Sequence, residues 1–330
     1  MHSIRRILVA VKEPTSPLLP AVAKAAQLAR AFGAELELFH GIVTPLYADA
    51  YAGRSLVAVK RSTRAQYLTQ LEAVAERLRR KGLKVHVSVD WDFPIYEAVV
   101  RRAGRIRADL IVAEAHAGRR LAPWLLHLTD WELLRFSPVP VLLVKSSRAY
   151  RHPVVLAALD PGHAFSKPAK LDKEILRVGG MVTKALRGTL HAMHAYVPMS
   201  IGAVPAEALR TAKIPTARRH LVERHPIDAI QETARETGTA IVVMGAVSRS
   251  GLKRVFIGNT AERVLNQLTC DALVVKPARF VSRVARARRG VWVVAGGPPM
   301  LPYSRHQPRI RRADRLTAYI SESRVWRKSA

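Results

Sequence analysis

Short apolar runs alternate with longer amphipathic segments along this chain, and the whole pattern occurs twice. Ile7 to Val11 is an apolar run of strand type. The alanine-rich stretch Ala21–Phe32 has helical spacing and stops at Gly33, a residue suited to a left-handed cap. Glu35-Leu-Glu-Leu-Phe-His40 alternates with period two and predicts a second strand. A basic amphipathic segment from about Leu56 to Arg80, ended at Gly82, predicts a long helix, and Val85-His-Val-Ser-Val a third strand. Pro94 opens a helix reaching about Arg105. Asp109-Leu-Ile-Val-Ala, Thr129–Phe136 and Val139–Val144 then read as strand, short helix and strand. Strands alternating with helices predict an α/β fold with a doubly wound parallel sheet.

The second pass answers the first element by element. Val154-Val-Leu-Ala-Ala-Leu-Asp160 mirrors the first strand and the apolar segment 172–187 the first helix, while Leu190-His-Ala-Met-His-Ala-Tyr196 mirrors Leu36-Glu-Leu-Phe-His40. His225-Pro-Ile-Asp answers Phe93-Pro-Ile-Tyr, Ala240-Ile-Val-Val-Met244 answers Asp109-Leu-Ile-Val-Ala, and Ala272-Leu-Val-Val-Lys276 answers Val141-Leu-Leu-Val-Lys145. Duplication is the economical account. It predicts one Rossmann-like domain over 1–148, a second over 152–278, and a remainder, 279–330, without a counterpart. The copies differ in length between the second strand and the Pro-Ile helix, about 50 residues against about 27. A shortened helix over Pro205–Arg219 and a third strand at His220-Leu-Val-Glu-Arg are expected there, with that side of the second sheet thinly covered.

The stretch 240–265 carries the most chemistry. Ile241 to Met244 is a buried-strand run closed by Gly245; a loop with Ser248, Arg249, Ser250, Gly251, Lys253 and Arg254 follows; Gly258-Asn259-Thr260 begins an amphipathic helix. Free N–H groups at a helix start, with cations beside them, suit an anion such as a triphosphate. Asn259 with Glu262 is also a capping box, so the same residues can serve only to start a helix beside a solvated loop. The spacing Gly245-x2-Ser248-x9-Gly258-Asn259-Thr260 resembles the Gly-x2-Gly-x9-Gly-Ser/Thr signature of the universal stress protein family. Gly-Asn-Thr-Ala-Glu, Cys-Asp-x-Leu-Val-Val-Lys-Pro (270–277) and Thr129-Asp130-Trp131-x-Leu-Leu-Arg are similar to its tandem, two-domain E-type members, and the likeness covers about 1–277. Ser248 stands where the pattern has its second glycine, and Asn259 where Ser or Thr is usual. The resemblance implies a stress-response binding or signalling module. It implies ATP or a related nucleotide as ligand of the second half, held by Asp160, Gly245, Ser248, Gly251, Gly258, Asn259 and Thr260, with Asp160 on the adenine or ribose. Lys12-Glu13-Pro14 and Glu114-Ala-His-Ala-Gly-Arg-Arg occupy the matching places of the first half, where no nucleotide is expected.

Composition adds one complication. Net charge is +29, and from Arg279 onward 13 Lys and Arg face 2 Asp and Glu in a Pro/Gly-interrupted stretch. That tail reads as largely irregular, with Val291-Trp-Val-Val-Ala as its strand-like piece, and nonspecific nucleic-acid association through it is an alternative function. A scaffold without a small ligand is another, with the two domains pairing within one chain or between copies. Cys270 is the sole cysteine, which excludes an internal disulfide and suits a reducing, cytoplasmic setting. No apolar run approaches a membrane span of roughly 18–20 residues. His40 and His194 hold equivalent strand ends, as partners in a shared structural hydrogen bond; His191 and His194 should face opposite sides of their strand. Trp91, Trp124 and Trp131 read as packing anchors. Zinc spacing, a P-loop ending and a nucleophile elbow are absent, so the sequence names no catalytic group and no metal ligand.

Overall fold

A computed structural model of the chain describes residues 3–42, 46–47, 56–115, 123–161, 169–197, 209, 214–246, 259–277, 280–284 and 293–294. The first half runs β1 (Arg6–Ala10), α1 (Pro20–Phe32), β2 (Glu35–Ile42), β3 (Leu46–Tyr47), α2 (Leu56–Arg79), β4 (Val85–Trp91), α3 (Ile95–Ile106), β5 (Leu110–Glu114), α4 (Pro123–Phe136) and β6 (Val141–Val144). The second runs β7 (Val154–Leu159), α5 (Ala169–Ala185), β8 (Thr189–Tyr196), a 3-10 turn (Thr216–Arg218), β9 (Arg219–Glu223), α6 (Pro226–Glu236), β10 (Ile241–Gly245), α7 (Asn259–Gln267) and β11 (Asp271–Val275). Central strands are mostly apolar because helices cover both faces: Ile7, Leu8 and Val9 are buried, as is every residue of β11, Asp271 included. Gly33 ends α1 at φ 66°, as its place in the pattern requires.

The two halves share one ten-stranded sheet, ordered β4-β2-β1-β5-β6-β11-β10-β7-β8-β9. Pairing is parallel within each half, and β6 meets β11 antiparallel. Equivalent residues Leu142 and Leu273 stand opposite each other at that joint, so an approximate two-fold axis passes between them. The halves thus pair within the chain. Asp271, fully buried, binds the joint: it accepts from Lys24 of α1, from the Tyr150 hydroxyl (2.5 Å), and from the backbone N–H groups of Lys145 (2.8 Å) and Ser146 (3.0 Å). Lys145 Nζ in turn donates to Leu265 O and to Leu268 O (2.8 Å).

The shortened side of the second half departs from expectation. Of the helix predicted over Pro205–Arg219, the described residues 214–219 form the 3-10 turn and the start of β9, while 205–208 and 210–213 lie outside the described residues. Pro215 heads the turn and Arg219 is already extended, so a helical run does not reach 214–219. Elsewhere the pattern misplaced ends and passed over the two-residue β3. The fourth helix begins at Pro123 and not Thr129, and β6 at Val141 because Ser137 turns the chain onto Val139. Of the tail, Val293–Val294 pair in parallel with β3 of the first half, and Val284 packs on the core.

β8 and β9 also carry a histidine pair. His191 Nδ1 and His220 Nε2 are 2.8 Å apart with rings 8° from parallel, while His194 points the other way. Burial lowers the pKa of both, and the positive partners His220 and Arg218 lower that of His191 further, against a smaller opposing pull of Glu236 on His220. The fold therefore favours the neutral form of both groups, and the stabilising contribution is present above the ordinary histidine value of about 6.5 and lost as pH falls below it. Urea midpoints measured between neutral and mildly acidic pH should fall more steeply for the native chain than for His220→Asn.

Candidate functional site

In a doubly wound sheet the ligand crevice opens at the carboxyl ends of the strands where their order reverses. In the second half that point lies between β7 and β10. Asp160 follows β7 directly and is 7% exposed; Gly245 ends β10 beside it. The Asp160 backbone N–H donates to both carboxylate oxygens of Asp172 (3.1 and 3.3 Å), a residue in the first turn of α5. Gly245 has a packing reason for lacking a side chain: a Cβ there would sit 2.4 Å from Leu171 Cδ2, and Leu171 is fully buried. The glycine lets α5 close on the strand end, so Asp172 can reach Asp160. Helix α7 starts at Asn259, and because it returns from the end of β10 to the start of β11, its N-terminus lies at this same edge. The described structure thus brings Asp160, Gly245 and the backbone start at Asn259 and Thr260 to one edge; Ser248, Gly251 and Gly258 lie outside the described residues, with the loop that would wall the crevice.

The first half shows the same scaffold with different chemistry. His40 Nδ1 bonds Val11 O (2.9 Å) and His194 Nδ1 bonds Leu159 O (3.2 Å), which fixes Lys12 as the counterpart of Asp160. Sheet register makes Glu114 the counterpart of Gly245. Lys12 lies 3.8 Å from Asp130. Burial lowers its pKa, and the carboxylates of Asp130 and Glu114 pull it back up. A cavity of only about 80 Å³ remains between Lys12, Glu13, Leu18 and Glu114. Lys12 and Glu114 thus stand in the first half where Asp160 and Gly245 stand in the second.

A wider recess of about 1050 Å³ opens elsewhere, at the amino ends of β7, β10 and β11, between the linker (Arg148, Arg151) and α6 (Asp228, Arg235). It is the opposite edge of the second half from Asp160 and Gly245. Its arginines are interspersed with carboxylates, and Arg224 is tied to Glu232 (2.9 Å), so its size alone does not outweigh the converging groups of the crevice. Cys270 on its wall has a thiol pushed up to about 11 by burial and by Asp271, which keeps it protonated and unreactive. Trp91 is buried with Nε1 on Lys60 O, and Trp131 packs on the core; both serve as anchors, and the side chain of Trp124 lies outside the described residues. Among the described residues no group of three or more His, Cys, Asp or Glu is placed to hold a metal ion, and no helix is long and apolar enough to cross a membrane.

Doubled crevices on one such sheet define a class, and comparison with known proteins gives it a name. The universal stress protein family model matches residues 3–145 and again 165–276, and the chain belongs to that family as a tandem of two such domains. It is 26% identical over 310 residues to universal stress protein E of Escherichia coli K12, spanning 84% of this chain and 96% of that one, and equally similar to the Salmonella typhi protein. Among solved structures, a functionally unknown protein from Pseudomonas aeruginosa PAO1 is 28% identical with a TM-score of 0.67, covering 83% of this chain and 93% of that one. A universal stress protein from Archaeoglobus fulgidus shares the fold at 19% identity and a TM-score of 0.62, covering 82% and 98%.

Proposed function

We propose that the chain is a stress-response binding module whose second domain takes up ATP or a related nucleotide, while the first keeps the scaffold without the ligand. One observation carries this reading: a buried carboxylate, Asp160, whose backbone N–H donates to Asp172, lies at the point where strand order reverses, beside Gly245 and the N-terminus of α7. A carboxylate there can accept from ribose or adenine donors, and a helix N-terminus suits phosphate. The first domain supports the asymmetry, because Lys12 and Glu114 replace the two groups that matter and neutralise each other with Asp130. Thermal unfolding with and without ATP tests the reading. A ligand that binds only the folded chain adds about 2.7 kcal/mol at 100 times its Kd, so the midpoint should rise with ATP concentration. An unchanged midpoint at millimolar ATP would retire the proposal.

A further inference from the structure

The recess at the amino ends of β7, β10 and β11 arises where the two halves join. The linker that follows β6 forms one wall, α6 the other, and the entries to the three strands the floor. At about 1050 Å³ it has room for a whole small ligand, and Ser146, Ser147, Thr239 and Thr269 interrupt its apolar surface. Most of its charges are already committed. Lys24 is paired with Asp271, Arg224 is tied to Glu232 (2.9 Å), and Lys145 Nζ donates to Leu265 O and Leu268 O. Lys145 thereby offsets the partial negative charge at the end of α7, about half an elementary charge. Three guanidiniums remain: Arg148 and Arg151 on the linker and Arg235 on α6, all exposed. None of the three makes an ion pair or a side-chain hydrogen bond with another described residue. Against them stands Asp228, in the first turn of α6, which leaves an excess of about two positive charges.

We propose that this recess is a second binding site, and that its ligand is a small oligophosphate anion held between Arg148 and Arg151 on one wall and Arg235 on the other. Guanidinium groups bind phosphate through paired, charge-assisted hydrogen bonds. A tetrahedral phosphate offers acceptor oxygens to both walls at once, whereas a planar carboxylate presents one edge. Two or more linked phosphates match both the excess charge and the separation of the guanidiniums onto two elements. A nucleobase has little to rest on here: Tyr150, the phenol ring of the lining, is buried, with Lys24 Nζ 4.4 Å from its centre. The serine and threonine hydroxyls can donate to the remaining oxygens. This site lies at the opposite edge of the second half from Asp160 and stands independently of the nucleotide crevice.

The sole cysteine, Cys270, lines the recess, so its rate of alkylation by iodoacetamide reads occupancy of this place and not of the crevice or the basic tail. The thiol is protonated at neutral pH, so the full chain is labelled at mildly alkaline pH and followed by mass spectrometry. Inorganic tripolyphosphate should slow labelling of the native chain in a saturable way. Arg151→Ala combined with Arg235→Ala, which takes one guanidinium from each wall, should raise the half-protecting concentration at least about tenfold. Arg148→Gln alone should give a smaller rise. Each variant's rate with tripolyphosphate is divided by its own rate without it, so a changed reactivity of the thiol cancels. Circular dichroism and an unchanged melting transition of the ligand-free variants would show that they fold. Labelling that tripolyphosphate does not slow overturns the proposal, as does protection undiminished in these variants, or equal protection by citrate.

Discussion

Asp271→Ala is expected to cost about 3–5 kcal/mol of unfolding free energy, the range for removing one partner of a buried ion pair. The carboxylate, on the second half, is fully buried and gathers donors from the first half and the linker: Lys24 from α1, the Tyr150 hydroxyl, and the N–H groups of Lys145 and Ser146. Without it, Lys24, itself 2% exposed, keeps only its place 4.4 Å from the Tyr150 ring, and two backbone donors lose their acceptor. The charge of Asp271 and burial together hold the Tyr150 hydroxyl well above its usual pKa, so the phenol remains a donor at all working pH. Lys24→Met should cost less, because Asp271 then retains three of its donors. Urea denaturation of the three chains checks the order. A Lys24→Met cost equal to or above that of Asp271→Ala would contradict this picture of the joint.

Asp160→Ala should lower ATP affinity at least about tenfold, the effect of removing a charge-assisted hydrogen bond worth about 1.5–3 kcal/mol. The backbone N–H of residue 160, which donates to Asp172, is kept in this variant. Glu13→Ala, in the exposed loop of the first crevice, should leave affinity as it was. Equal losses for both variants, or none for either, would show that the crevice beside Asp160 is not the site.

Much of this fold was legible because both periodicities are clean and occur twice. Val154–Asp160 could be laid on Ile7–Val11, and Ala272–Lys276 on Val141–Lys145, before any coordinates, and the strands within each half pair in parallel as expected; the antiparallel joint of β6 with β11 was not foreseen. Asp160 and Gly245 were legible as strand-end residues for the same reason. Other features depend on side chains distant in sequence that only the folded sheet brings together. Asp172 reads as an ordinary acidic residue in a helix's first turn; its hold on Asp160 depends on how closely α5 approaches Gly245. His220 gave no sign of meeting His191, since that needs the β8–β9 register. Lys24 and Asp271, 247 positions apart, look like a stray lysine in an alanine-rich helix and a turn carboxylate. The helix predicted over Pro205–Arg219 does not extend over 214–219, where Pro215 and an extended Arg219 stand; 205–208 and 210–213 lie outside the described residues.

The central claim is that a doubled chain retains one working crevice, in its later copy. Isothermal titration of the full chain with ATP tests it most directly. The account predicts a single nucleotide per chain, with binding lost in Asp160→Ala. Two nucleotides per chain, or no binding at millimolar ATP, would contradict it.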